Sequence, residues 1–249
     1  MSDNSFLDGR AALVTGGASG LGRATCLALA GAGAHVAVGD IDLAGAEKTA
    51  AAAAEAGGSA RAVPLDVTDD DQRRRVMSEL FDTHGASFDI LVNVAGIDLP
   101  GYATDISLSD FENVFAVNVT GPTFLISEFM KGIVGRERTH PADVVNIISL
   151  SAITVGSGAA AYNGSKAAFA KVTEVFQREI LEFDLPCRMQ GIMPAAMDTP
   201  MMHRWGIPKE RMMDPAEVAA EILHALRRPY TGYGQNLVVV PRLEPDFPR

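Results

Sequence analysis

The sequence predicts an α/β chain, a doubly wound, seven-stranded and mostly parallel sheet with helices on both faces. Three observations predict it. Apolar strand-like runs alternate with helical runs along the chain, the pattern of successive βα units. The strand-like runs are near-continuous in Val, Ile and Leu, as strands buried on both faces are. The first run feeds a glycine-rich turn and then a helical pattern, an order that offers helix N-terminal N–H groups to a phosphate.

Strands are expected near 10–15, 34–39, 60–65, 89–94, 143–149, 187–193 and 236–240, and helices near 20–32, 42–57, 69–84, 107–134, 158–184 and 215–227. The apolar run 11–14 makes the first strand, and Gly16, Gly17, Gly20 and Gly22 turn the chain into the first helix. The second strand, HVAVG, ends in Asp40. Asp42 is a candidate N-cap for the helix that follows. The alanine run 50–58 reads as a helix ending at Gly57 and Gly58, not as a linker. RERTHPAD (136–143) is a polar loop before the fifth strand. There is no internal repeat and no interdomain linker, so 1–249 reads as one domain.

Composition excludes several classes. With 47% hydrophobic residues, the 249-residue chain can bury a large core. A net charge of −10 opposes a nucleic-acid backbone binder and an anionic membrane surface. No uncharged apolar run reaches the length of a membrane span. Cys26 and Cys187 sit in apolar stretches and read as small buried hydrophobes. The five histidines show no metal-ligand spacing, so no metal is expected. MSDNSFLDGR is polar and acidic, unlike a signal peptide, and a cytoplasmic location is the default expectation.

The chemistry is carried by Tyr162 and Lys166, four residues apart in YNGSK, and by Ser149, thirteen residues before Tyr162. Positions i and i+4 share a helix face. The Lys166 ammonium is therefore expected to lower the pKa of the Tyr162 phenol, making it a proton acceptor and donor. Ser149 would hold a carbonyl or alcohol oxygen; Ser151, two residues on, reads as a loop hydroxyl. Asp40 lies about 20 residues after the glycine turn, where a carboxylate meets a ribose diol. No Arg or Lys at 39, 41 or just before Gly20 offers to receive a 2′-phosphate, which favours NAD over NADP. A cap or turn role for Asp40 is the competing assignment.

Together these residues resemble the short-chain dehydrogenase/reductase family, over about residues 8–240. TGGASGLG (15–22) is similar to its TGxxxGxG, Asp66-Val67 to its adenine-side pair, NVAG (93–96) to its NNAG and PAAMDTP (194–200) to its PGxxxTP. Asn118, Ser149, Tyr162 and Lys166 match its catalytic residues. The resemblance implies a Rossmann-like fold. It also implies cofactor contacts from Gly16, Ser19, Gly20, Leu21, Gly22, Asp40, Ile41, Asp66, Val67, Asn93, Val94, Ala95, Gly96, Tyr162, Lys166, Pro194, Met197 and Thr199. Asn118 would anchor a water on the proton path, and Thr199 would bond the carboxamide or cap the next helix. Three departures stand out: Val94 for the second Asn of NNAG, Ala195 for the usual Gly, and a tail without VDGG.

These residues point to an NAD(H)-dependent interconversion of a secondary alcohol and a ketone. An NADP-dependent ketoreductase and a non-catalytic NAD sensor are the alternatives. The segment near 198–214, with four Met and Trp205, is expected to be a lid over an apolar or cyclic substrate. Met201, Trp205, Tyr102 and Asp98 are its candidate contacts, beside Ser149 and Tyr162. The resemblance further implies a dimer or tetramer paired through the helices near 107–134 and 158–184.

Overall fold

A computed structural model describes residues 5–229 and 236–240. All seven expected strands are present, each within two residues of its expected bounds: β1 (Ala11–Thr15), β2 (His35–Asp40), β3 (Ser59–Pro64), β4 (Phe88–Asn93), β5 (Ala142–Ile147), β6 (Cys187–Pro194) and β7 (Asn236–Val239). They form one sheet in the order β3-β2-β1-β4-β5-β6-β7, and every pairing is parallel. The order reverses between β1 and β4, so a crevice opens there at the strands' carboxyl ends. β4, β5 and β6 are buried at every position, which explains their unbroken apolar runs.

Helices cover both faces. One layer holds α1 (Gly20–Gly31), α2 (Leu43–Glu55) and α7 (Pro215–Arg227) over Val14, Val38, Ile90 and Ile192. The other holds α3 (Asp70–His84), α5 (Gly121–Ile133) and α6 (Ala160–Glu182) over Leu13, Leu91, Val144 and Met189, with α4 (Leu108–Phe115) packed against α6. Alternate residues of each strand serve opposite layers, as the two-residue period requires. Asp42 caps α2 by accepting the Gly45 N–H at 3.0 Å. Asp214 and Glu217 close a capping box on α7.

The helix expected over 107–134 is not uniform. A π-helical turn, Ala116–Thr120, separates α4 from α5, with the Gly121 N–H on the Ala116 carbonyl. Asn118 sits in that turn. Among described residues only Asp184 is a non-glycine at positive φ, so Ala195 needs no left-handed backbone. Its N–H instead donates to Val239. The departing tail beyond residue 240 lies outside the described residues.

Candidate active site

A cleft of about 750 Å³ runs along the carboxyl edge of the sheet, from Gly16 and Asp40 to Tyr162 and Trp205. The glycine turn forms its nucleotide end. Gly16 holds φ +70°, and a Cβ there would stand 2.9 Å from the Ala95 backbone, so only glycine keeps this approach open. Ser19 precedes α1 without a side-chain cap, leaving the helix N–H groups of Gly20, Leu21 and Gly22 toward the cleft. Thr15 braces the facing loop by accepting the N–H groups of Val94 and Ala95, both at 3.1 Å. That brace spans about 80 positions of sequence, and no local pattern marks it.

Asp40 ends β2 at the mouth of the cleft. Its Oδ2 accepts the Ala18 N–H and its Oδ1 the Asp42 N–H, each at 2.9 Å. Beside it Ile41 is 76% exposed and lines the same mouth. Asp66 accepts from the backbone and hydroxyl of Thr68, with Val67 next to it on the wall. Among the lining residues Lys166 is the one cation. A narrow glycine cradle, free N–H groups and a carboxylate at the diol position fit a dinucleotide. A 2′-phosphate finds no positive partner at that end.

Ser149, Tyr162 and Lys166 meet in the other half of the cleft. Ser149 follows β5; its Oγ accepts the Ser151 N–H at 3.1 Å, and its hydroxyl bonds the Tyr162 phenol. Tyr162 and Lys166 lie on α6, with Nζ 5.7 Å from the phenol ring centre. Lys166 is buried and donates to the Ile147 carbonyl at 3.0 Å. Burial pushes its ammonium down to about 8.

The expected effect on Tyr162 is corrected here. Its phenol is pushed up to about 12, chiefly by burial; a hydrogen bond from Ser149 works the other way and the Asp98 charge adds to the rise. Tyr162 keeps intermediate exposure along the cleft wall, while its phenol group is desolvated. Desolvation is the largest influence on it, and the phenol holds its proton at neutral pH.

Three of the expected residues lie outside the lining of the cleft. Asn93 does not line the cleft. It is buried, donates to Asn146 at 2.9 Å and heads a polar chain to Thr173, because its strand end faces the sheet interior. Asn118 is also off the cleft surface. It accepts the Ile97 N–H at 2.8 Å and donates to the Ile97 carbonyl and to Ser165, so both its amide hydrogens are engaged. It clamps the loop after β4 to α6. Tyr102 is 63% exposed and packs by Gly158 in an adjoining depression that shares Thr154, Val155 and Asn163 with the cleft wall.

Gly96, Val94, Ala95, Pro194, Met197, Thr199, Met201 and Trp205 all line the cleft. Thr199 precedes the short 3-10 helix Pro200–Trp205 with no side-chain cap, and its methyl faces Gly20. Asp198 is tied to Lys209 at 2.7 Å, which fastens the segment to itself. Asp98 carries the contact that sequence reading did not specify: its Oδ2 accepts the Trp205 indole N–H at 2.7 Å, across 107 residues. Among the described residues no group of three or more His, Cys, Asp or Glu is placed to hold a metal. No helix among them is long and apolar enough to cross a membrane.

Comparison with known proteins agrees with this geometry. The family model described as short chain dehydrogenase matches residues 10–209. A sorbitol dehydrogenase of Cereibacter sphaeroides is 33% identical over 77% of this chain and 72% of its own. A 3-oxoacyl-[acyl-carrier-protein] reductase of Thermotoga maritima is 30% identical over 87% and 90%. A crystal structure of a dehydrogenase/reductase from Sinorhizobium meliloti superposes with a TM-score of 0.84 at 26% identity, covering 95% of each chain.

Proposed function

The chain belongs to the short-chain dehydrogenase family, and from that premise we propose an NAD(H)-dependent oxidoreductase that interconverts a secondary alcohol and a ketone, with Tyr162 as acid and base. The observation that carries this reading is the meeting of Ser149, Tyr162 and Lys166 in the cleft that begins at the glycine turn. When bound, the dinucleotide supplies the hydride acceptor or donor. Gly16, Leu21 and Gly22 would hold its phosphates, Asp40 its adenosine diol, and Lys166 its second ribose.

The protein's own groups handle the oxygen and the proton. The Ser149 hydroxyl, which bonds the Tyr162 phenol at rest, would turn its proton to the substrate oxygen and stabilise charge there. Tyr162 gives its phenol proton to a carbonyl oxygen in reduction and takes the alcohol proton in oxidation. Asn118 fixes the loop at Ile97, which lines the same cleft as Ser149. The segment from 198 to 214 would act as a lid, with Met201 and Trp205 over the substrate. The phenol is protonated at neutral pH, so reduction draws on the resting state. Oxidation needs phenolate, and its rate is expected to rise as pH increases from 7, while reduction holds or falls; initial rates in both directions across pH check this.

The named relatives act on a polyol and on a carrier-bound oxoacyl group, so their names do not choose a substrate. Exposed Leu108, Phe111 and Phe124 on α4 and α5, with Val175 on α6, support a homo-oligomer through these helices; light scattering on the purified chain tests it. The deciding experiment is NADH against NADPH binding, then a screen of alcohols and ketones at the reduced-nicotinamide absorbance. Tyr162→Phe is expected to lower turnover by about 10²–10⁴-fold and to leave NADH affinity nearly unchanged. Near-full activity in that variant would refute the acid/base role.

A further inference from the structure

Three carboxylates line the cleft, and one of them has no use in holding a dinucleotide. Asp40 and Asp66 accept backbone N–H groups at the nucleotide end. Asp98 stands beside Tyr162 and Trp205 and is only 4% exposed. Its Oδ2 accepts the Trp205 indole N–H. Its Oδ1 is buried and has no partner among the described residues. Arg204, whose charge bears on the carboxylate, donates to the Asp98 backbone carbonyl at 2.6 Å and makes no hydrogen bond to the carboxylate.

A buried carboxylate served by one neutral N–H is costly to the fold. The loop does not need it, because Asn118 already takes both the N–H and the carbonyl of Ile97 next door. Arg204 offsets part of that cost through its charge, but a buried oxygen left without a hydrogen-bond partner in a cleft wall fits a group kept for a ligand. The terminal torsion of an aspartate is broad, so rotating the carboxyl can turn either oxygen to the cleft without disturbing the clamp.

We propose that Asp98 sets the substrate class of this cleft: its unpartnered oxygen receives a hydrogen-bond donor, hydroxyl or ammonium, carried by the substrate next to the reacting carbinol. The proposal rests on the oxidoreductase reading above and refines it. Diols, polyols or amino alcohols are the substrates it selects over simple alcohols. Hydroxy acids are disfavoured, since a substrate carboxylate would face the Asp98 charge and Lys166 is the one cation on the wall. A donor on Asp98 has a second consequence. The Asp98 charge raises the Tyr162 phenol, and a donor seated on it takes up part of that charge. Tyr162 and Arg204 are the charged or titratable groups that bear on this carboxylate.

The test uses the full chain with saturating NAD and matched probes: cyclohexanol, 1,2-cyclohexanediol and 2-aminocyclohexanol. The diol or the amino alcohol is expected to exceed cyclohexanol in kcat/KM by about tenfold or more, because a site built for a donor rejects the analogue lacking it. That ratio is expected to fall toward one in Asp98→Asn and further in Asp98→Ala. Preference for the diol alone identifies a hydroxyl donor, and for the amino alcohol alone an ammonium. Equal kcat/KM for cyclohexanol and both donor-bearing probes, or a preference that survives Asp98→Asn, overturns the proposal.

A second readout does not need turnover. Trp205 is the chain's single tryptophan, and it is bonded to Asp98, so its emission reports on this carboxylate. A donor-bearing probe should shift that emission at concentrations where cyclohexanol does not, and the difference should vanish in Asp98→Asn. The same response to all three probes overturns the proposal even if none is turned over. Cofactor binding judges the underlying reading separately: a chain that binds neither NADH nor NADPH refutes the oxidoreductase, while the Trp205 titration still decides Asp98.

Discussion

The two ends of the same strands bury charge equally deeply and treat it in opposite ways. At the starting ends, Arg10 precedes β1, and Asp89, Asp143 and Arg188 stand second in β4, β5 and β6. Arg10 bonds Asp89 at 3.0 Å and Asp143 at 2.8 Å; Arg188 bonds the other oxygen of Asp143 at 2.7 Å and the carbonyls of Leu226 and Arg228. Burial works against the Arg10 charge, yet Asp89 and Asp143 hold it above its ordinary value. At the finishing ends, Lys166 has one carbonyl, Asp98 one indole, and the Tyr162 phenol is driven up by burial. Paired charge holds the sheet together at one rim. Unpaired charge at the other is available to a ligand, and the fold bears its cost.

The sharpest way to break this contrast is to unpair the structural rim. Asp143→Asn leaves two buried guanidinium groups facing a neutral amide. Removing one partner of a buried network typically costs about 3–5 kcal/mol. The expected result is a matching loss in urea unfolding. A loss under about 1 kcal/mol would place this network with surface ion pairs, and the comparison of the two rims would fail.

The opposite variant belongs to the cleft. Lys166→Met removes a buried charge that no carboxylate pairs, so it should abolish most turnover while raising stability by about 1 kcal/mol. The pH dependence carries a sign. Lys166 sits near 8 in the fold against an ordinary 10.5, so between those values the unfolded chain binds the extra proton. The stability of the unsubstituted protein therefore rises from pH 8 to 10.5 on this account, and the advantage of Lys166→Met is greatest below pH 8 and shrinks above it. Thermal melts of both proteins at pH 7 and 10 check the sign.

What the sequence made legible divides along the same lines. Strand order in the chain and the motifs at each strand end are local patterns, and they put Gly16, Asp40, Ser149, Tyr162 and Lys166 in one cleft. The Arg10–Asp89–Asp143–Arg188 network, the Thr15 brace and the Asp98–Trp205 bond join residues far apart, and nothing local marks any of them. The π turn at Asn118 adds one residue to a helical period, too little to disturb the pattern of a 28-residue run at 107–134. The Tyr162 shift is not legible in the sequence, because spacing reveals a neighbouring charge but not desolvation. Tyr102 and Asn93 have the right residue types near the right motifs, and only the path of the backbone turns them away.

The smallest expected effect concerns Asp40, the carboxylate at the finishing rim that is neither paired with a cation nor left unpartnered. Each of its oxygens accepts one backbone N–H, and a carboxylate has about four acceptor positions in all. One lone pair on each oxygen thus remains for a ribose diol, so a turn role and a cofactor role are compatible in the same side chain. Asp42 caps α2 independently, and loss of the Asp40 side chain should cost the fold about 1 kcal/mol or less. Asp40→Ala is therefore expected to unfold almost as the parent does. Its preference for NADH over NADPH should narrow by about tenfold, the worth of one charge-assisted hydrogen bond together with relief of repulsion against a 2′-phosphate. Titration of both reduced cofactors into the two proteins measures it. An unchanged ratio with unchanged stability would make Asp40 a turn residue only and leave the preference to the rest of the cleft mouth.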